Sequence, residues 1–593
     1  MSTTIKPTEP GTAFLTTPVS ESAEQIFTLE QLDEEQRWIA ESAATFVQRE
    51  VMPNVEAIDR QEPGLMPSLV KKAGEQGLLS IDVPEEYGGT ELGLLTSALV
   101  ASNLREASFS VAFGAHTTIG TLPIVFYGNE EQKAKYLPKL ATGEWIAAYA
   151  LTEPGVGSDA MGLATTAKLS ADGKYYILNG TKQWISNAGF ADVMVAFACI
   201  DGNKPSAFIV EAAWEGVSTG AEENKMGIKG SSTRQVIFQD AKVPVENLLG
   251  TIHKGYKIAF NILNIGRLKL GAGAAGGSRS ALGLAAAYTA ERKAFGKYLH
   301  EFGMIKKKLA RVAAETYAAE SAAFRTAANI ESARRNASST EEAFKAIEEY
   351  TIEASLAKVH GSEVLALAVD EGVQIFGGYG FMHEYPIEKA YRDARIQRIF
   401  EGTNEINRLV ASGTLFKRVL TGKVPLMNAI PEIEARVKAG QSVDFAGESI
   451  PADLREAVNA LERAKDATIY SAMRVAMKYM QALENEEEFI EYLANLLIEI
   501  YGIDSALARA TQAVRRGDAN SATHVQLAQL ATWLAFSRVR LNLDQLIMTN
   551  NEPERVEKEL ARVRAYLGDY QLNGVALQRE IAAQVVEKQG YPL

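Results

Sequence analysis

The chain has 593 residues, 47% hydrophobic and 23% charged, enough for several domains with large cores and too apolar for a mainly disordered state. Its net charge of −13 argues against tracking a nucleic-acid backbone, which needs clustered Lys and Arg, so no nucleic acid is expected as a partner. A single cysteine, Cys199, excludes an intrachain disulfide and thiolate metal clusters and fits a reducing compartment.

The opening stretch, MSTTIKPTEPGTAFLTTPVSES, lacks the basic start and apolar core of a secretory signal, and its glutamates without arginine speak against a mitochondrial transit peptide. Residues 1–28 read as a short disordered lead, and a cytoplasmic location is expected. No stretch nears the roughly 18 consecutive apolar residues of a spanning helix. From 29 to 145, amphipathic helices alternate with turns: LDEEQRWIAESAATFVQREV stops at Pro53, and PSLVKKAGEQGLLSI runs into VPEEYGG. From 146 to 251 the texture changes to short strands. KYYILNGTKQWIS holds two β-rich runs joined by Asn179-Gly180, a strong hairpin signal, and ADVMVAFACI, PSAFIVEA and RQVIF add more strands. Between 252 and 420, alanine-rich helices return with apolar positions three and four apart, as in a four-helix bundle. The stretch 421–451, with three prolines, reads as a linker, and 452–593 as a further helical domain. The expected fold class is therefore mainly α with a central β-domain.

Two patterns mislead. GAGAAG, 271–276, matches a dinucleotide-binding pattern but continues a helical stretch instead of following a strand, so close helix packing explains its glycines better. GVSTG, 216–220, matches a nucleophile elbow, yet Gly- and Glu-rich sequence follows where a helix should start. The six histidines show no paired ligand spacing, and no metal is expected.

Five other segments carry more. YALTEPGVGSD, 149–159, enters the β-domain as a turn whose backbone N–H groups can face an anion. Trp184 and Ser186, two apart in NGTKQWIS, point to one face of a strand; an aromatic plate beside a hydroxyl suits a flat ring, and a half-buried strand looks the same. ERKAFGK, 291–297, ends a helix with Arg292 and Phe295, suited to bidentate phosphate contact or to a solvated helix end. QIFGGYGF, 374–381, supplies Gly377 and Gly378, where a backbone can pass close to a ligand. In RIFEGTNEINRL, 398–409, Glu401 leads into a helix that Thr403 can cap and whose positive end Glu405 favours. Equally, Glu401 follows apolar Ile399 and Phe400 and precedes Gly402, the setting of a general base whose pKa poor solvation would raise. The segment alone leaves both readings open.

In this order the five motifs resemble those of the acyl-CoA dehydrogenase family, over about residues 30–420. The resemblance implies a helical domain, a central β-domain and a four-helix bundle. It implies a reaction that takes hydrogen from the α and β carbons of a fatty acyl-CoA to leave a trans-2-enoyl-CoA, as in fatty acid β-oxidation. FAD would accept the hydride and an electron transfer flavoprotein would reoxidise it. Glu401 then matches the base for the α-proton. In the family the thioester carbonyl, where enolate charge develops, is held by the N–H of the base and a ribityl hydroxyl of FAD. Ser186 matches the partner of flavin N5, Trp184 lies against the flavin, and Tyr149, Leu151 and Thr152 follow its ring edge. Gly157 and Ser158 fall on the pyrophosphate turn, and Ser158 also on the substrate side with Asn264, Arg267, Phe400 and Gly402. Arg292, Phe295, Gln374 and Gly378 match the set that grips FAD across a subunit interface, which implies at least a dimer. Thr403 and Glu405 match positions close to the cofactor, the latter often Gln in relatives. Some members place the base on the first bundle helix, where this chain has Gly266, so Glu401 is the candidate that remains.

ILNIGRLKLGAG, GKYLHEFGMIKKKLA and the additional helical domain look most like the very-long-chain branch, in which that domain covers the face others use to form tetramers, implying a dimer. There it also helps bind membrane. Here QSVDFAGES, 441–449, is polar and acidic, so membrane attachment is not expected. Small residues around Gly114 in AFGAHTTIG suit a deep acyl cavity or ordinary helix packing. Two further readings stand beside the dehydrogenase: an acyl-CoA oxidase that passes electrons to oxygen, and a binding or assembly protein that docks through the last domain. Retention of Glu401, Ser186 and Arg292 weighs against the second.

Overall fold

The computed structural model describes residues 9–593 except Asn203, Pro425 and Asn551. Helices fill the region before the sheet. Glu34–Phe46 starts at a capping box in which Asp33 and Gln36 satisfy each other's backbone N–H. Helix α1 (Ala107–Gly114) runs on through a wider turn to Tyr127; this stretch is long and apolar enough to cross a membrane, but 72% of its apolar window is buried inside the protein, as in a core helix.

The sheet comprises β1 (Ala147–Ala150), β2 (Thr166–Leu169), β3 (Tyr175–Ser186), β4 (Val193–Ile200), β5 (Lys204–Glu211), β6 (Val217–Thr219), β7 (Thr233–Pro244) and β8 (Leu248–Leu249). Its order is β6-β7-β3-β2-β4-β5-β8, with β1 running parallel to β4 along the edge of β4 that β2 also uses. Both faces of β4 are covered, which is why VMVAFACI reads as an unbroken apolar run. The expected hairpin at Asn179-Gly180 does not form: both residues lie inside β3, which pairs with β2 on one side and β7 on the other. The register shifts there instead. Asn179 exchanges hydrogen bonds with Asp240 at 3.0 and 2.9 Å, and Gly180 takes a φ of +153° that absorbs the irregularity. GVSTG lies in and beside β6, not at a strand-to-helix elbow.

The bundle follows: α2 (Gly255–Glu291), α3 (Gly303–Arg335), α4 (Thr351–Phe376) and α5 (Asn404–Leu420). GAGAAG sits in the middle of α2. A Cβ on Gly271 would fall 2.6 Å from the Ala357 carbonyl oxygen, and one on Gly276 1.9 Å from that of Ser102, so these glycines let backbones touch.

Two expectations fail at the ends of the bundle. Residues 421–451 are not a bare linker, because α6 (Leu426–Ala439) lies within them; Ile433 and Val437, one turn apart, are buried despite Pro431. Residues 9–28 are not a disordered lead either; residues 1–8 fall outside the described ones. Phe14, Leu15, Val19, Ala23 and Ile26 are buried at near-helical spacing among Thr, Ser, Glu and Pro, and they join the core shared by the bundle and the last domain. That domain is built from α7 (Arg455–Tyr479), α8 (Glu487–Arg516), α9 (Ser521–Asn550), α10 (Pro553–Leu567) and α11 (Gly574–Glu587). The N–H of Val19 donates to Glu462 at 3.0 Å, Lys465 donates to the Thr17 carbonyl at 3.0 Å, and Glu9 pairs with the fully buried Arg325 of α3.

Candidate active site

Glu401 stands just before α5 with a φ of +58°, a left-handed conformation that costs a residue with a side chain about 1–2 kcal/mol, and Gly402 follows at +80°. Three side chains hold this turn. Arg267 of α2 donates from Nε to the Glu401 carbonyl at 3.1 Å. Lys358 of α4 donates from Nζ to the Gly402 carbonyl at 2.8 Å and to Asn404 Oδ1 at 2.7 Å. Asn407 donates to the Gly402 and Thr403 carbonyls at 2.8 and 3.0 Å. Thr403 caps α5 by accepting from the Ile406 N–H at 3.2 Å. The cap and the buried acid, alternatives in the bare sequence, are both present on neighbouring residues.

The Glu401 carboxyl is buried, and its Oε2 meets no partner among the described residues. Burial raises its pKa to about 7, against the opposing pull of Arg267 and Lys358. Gly266 makes the space, since a Cβ there would fall 2.7 Å from Glu401 Oε2. Arg267 is aimed in turn: its Nη1 donates to Asn264 Oδ1 at 3.1 Å, and Asn264 donates to Thr351 at 2.9 Å. The Lys358 ammonium is itself lowered to about 7 by burial. Tyr149 packs edge-on against Phe197 at 5.1 Å, with its buried hydroxyl unpartnered. Burial, and then the charge of Glu401, push this phenol well above its ordinary value. The Glu401 N–H donates to no acceptor among the described residues.

Glu401, Phe400, Gly266 and Ser186 share the wall of a cavity of about 860 Å³. From Gly266 the cavity follows α2 past Gly273 and Gly277 to Leu284, about 27 Å at 1.5 Å per residue, and Gly114 is also in its wall. Beside it Trp184 is 61% exposed at a φ of +57°, where the register of β3 slips, and Ile185 turns into the core between Trp184 and Ser186. Leu151 and Thr152 are tied to β3 through their carbonyls, which accept from Lys182 Nζ at 3.2 Å and the Gln183 N–H at 2.8 Å. Gly157 and Ser158 lie exposed on the following turn, and Glu405 is exposed on the first turn of α5.

Other expected residues gather elsewhere. Arg292, over the Tyr379 ring at 5.4 Å, and Gly378 line a second cavity of about 500 Å³ that shares no wall residue with the first. Gln374 is exposed, and Phe295 is 95% exposed. Sequence reading missed Lys358 and Asn407. The signal for Lys358 was the lone Lys or Arg of a helix that is buried on most sides, flanked by Ala357 and Val359.

Family models for acyl-CoA dehydrogenases match four stretches: the N-terminal domain at 33–144, the middle domain at 148–241, and two models for a C-terminal domain at 253–415 and 463–565. A probable acyl-CoA dehydrogenase of Bacillus subtilis (strain 168) is 43% identical over 575 residues, 96% of each chain. The mitochondrial very long-chain specific acyl-CoA dehydrogenase of Rattus norvegicus is 38% identical over 501 residues, 80% of this chain and 74% of the rat protein. Among solved structures, an acyl-CoA dehydrogenase from Bacillus anthracis complexed with FAD superimposes with a TM-score of 0.95 at 44% identity, covering 99% of this chain and 100% of that one. Domain by domain and along nearly its whole length, this chain belongs to the acyl-CoA dehydrogenase family.

Proposed function

We propose that the protein is an FAD-dependent dehydrogenase of long-chain fatty acyl-CoA thioesters, with Glu401 as the base. The observation that carries this reading is a buried carboxyl with a pKa of about 7 and an unpartnered oxygen in the wall of a long cavity. The residues fit FAD: Trp184 presents an exposed indole near Ser186, and Cβ positions at Gly157 and Gly378 meet nothing within 4 Å, which leaves room for a flat ring and a diphosphate. When bound, FAD supplies the acceptor for the β-hydride.

Glu401 takes the α-proton of the thioester. An α-proton becomes acidic enough only when the carbonyl oxygen is hydrogen-bonded as enolate charge develops, and the free N–H of Glu401 provides one donor. Arg267 and Lys358 fix the carbonyls on either side of that turn, so the amide and the carboxyl stay aimed together. The length of the cavity supports long acyl chains, and family membership supports electron transfer flavoprotein as the acceptor. Arg292, Phe295, Gln374 and Gly378 serve FAD bound to a second copy in a homodimer; exposed Phe295 and Phe381 beside the second cavity support that pairing.

The test is anaerobic titration of the holoprotein with palmitoyl-CoA while the visible flavin absorbance is followed. Bleaching is expected in the wild type, and Glu401→Gln should slow it by roughly 10²–10⁴-fold, the range of general-base contributions. A variant that bleaches at the wild-type rate would remove Glu401 from the reaction.

A further inference from the structure

The cavity that starts at Glu401 is not closed by the bundle alone. Gln589, Gly590, Tyr591 and Leu593, which follow α11 of the last domain, belong to its wall. They lie against α2 near the end remote from Glu401. The Gln589 carbonyl oxygen is 3.8 Å from a Cβ built on Gly283, and the Gly283 Cα is 3.9 Å from one built on Gly590. Both distances are ordinary van der Waals contact, so the segment rests on this face of α2 with room for a small side chain. Tyr591 and Leu593 are half-buried against the core shared by the bundle and the last domain, and the buried Tyr591 hydroxyl has no partner among the described residues.

We propose that the segment Gln589–Leu593 forms the far wall of the acyl cavity, so that the last helical domain sets the longest acyl chain the protein accepts. This rests on reading the cavity as the acyl site. Each methylene that finds room along α2 leaves water and adds to binding. One that meets the wall must instead displace Tyr591 and Leu593 from a packed core, so preference rises with length and then breaks off. The break is a property of residues 589–593 rather than of the bundle.

The experiment compares kcat/KM for octanoyl-, palmitoyl- and docosanoyl-CoA in the wild-type holoprotein, in a chain lacking residues 590–593, and in Gly283→Leu. Removing the wall should raise the docosanoyl-to-octanoyl ratio by about tenfold or more, the worth of a methylene or two in an apolar site. Gly283→Leu, which extends the facing side towards Gln589, should lower the same ratio by a similar factor. If the shortened chain does not fold, Gly283→Leu decides alone. An unchanged ratio in every folded variant overturns the wall. A wild type that oxidises none of the three thioesters instead overturns the acyl reading of the cavity.

Discussion

Glu401 holds a proton balance that pH can tip. With its carboxyl raised to about 7 by burial, the basic form grows as pH rises through neutrality, so the rate of flavin reduction should climb between about pH 6 and 8. The Lys358 charge pulls the Glu401 pKa down against burial and so favours the basic form. Removing its charge in Lys358→Met should shift the midpoint of the pH profile to higher pH, while Lys358→Arg should keep it near the wild-type position; stopped-flow reduction across pH reads both. The apolar setting of Glu401, between Phe400 and Gly402, was legible in the sequence, and the structure buries its carboxyl there. Lys358 was not legible, because its role depends on α4 packing it against the Gly402 carbonyl, and helix periodicity says nothing of what a buried cation faces. The same limit hid Asn407, which looks like any polar residue of α5.

At the scale of elements, α2 uses its glycines in two ways. Gly276 presses on the Ser102 carbonyl, so Gly276→Ala should destabilise the protein by about 1–3 kcal/mol through overpacking. Gly283 has open surroundings, and Gly283→Ala should be neutral or stabilising by up to about 1 kcal/mol, since alanine is the better helix former. Urea unfolding of the pair distinguishes the two roles. In the cavity wall, a Cβ on Gly114 of α1 meets nothing within 4 Å, so Gly114→Phe should fill part of the cavity and, on the proposed acyl role of that space, lower kcat/KM for palmitoyl-CoA relative to butyryl-CoA by at least about tenfold. Helix periods and the failed context of GAGAAG were readable without coordinates. Asn179-Gly180 was misread because a turn dipeptide and a register slip share the same chemistry, and only the partners β2 and β7 decide between them.

At the scale of the molecule, a buried charge network joins distant parts of the chain. Arg325 of α3 meets Glu9 and Asp504, and Lys465 meets Asp504 at 2.6 Å and Glu462 at 3.0 Å. Arg509 meets Glu30 at 2.6 Å and Glu320 at 2.9 Å. Arg325→Met leaves Glu9 and Asp504 buried with less compensation and should cost about 3–5 kcal/mol, with faster proteolysis within residues 9–28. Domain order was legible from the alternation of helical and strand-like texture. The role of residues 9–28 was not, because five apolar side chains among Thr, Ser, Glu and Pro declare themselves only when α7 and α8 are there to receive them. That arrangement bears on how the protein is made. A ribosome adding roughly 5–20 residues per second would need about 25–100 s to travel from Glu9 to Asp504. For that interval Phe14, Val19 and Ile26 lack their neighbours on α7 and α8, open to chaperones or to other nascent chains, and a segment made long before those helices is among the last to settle.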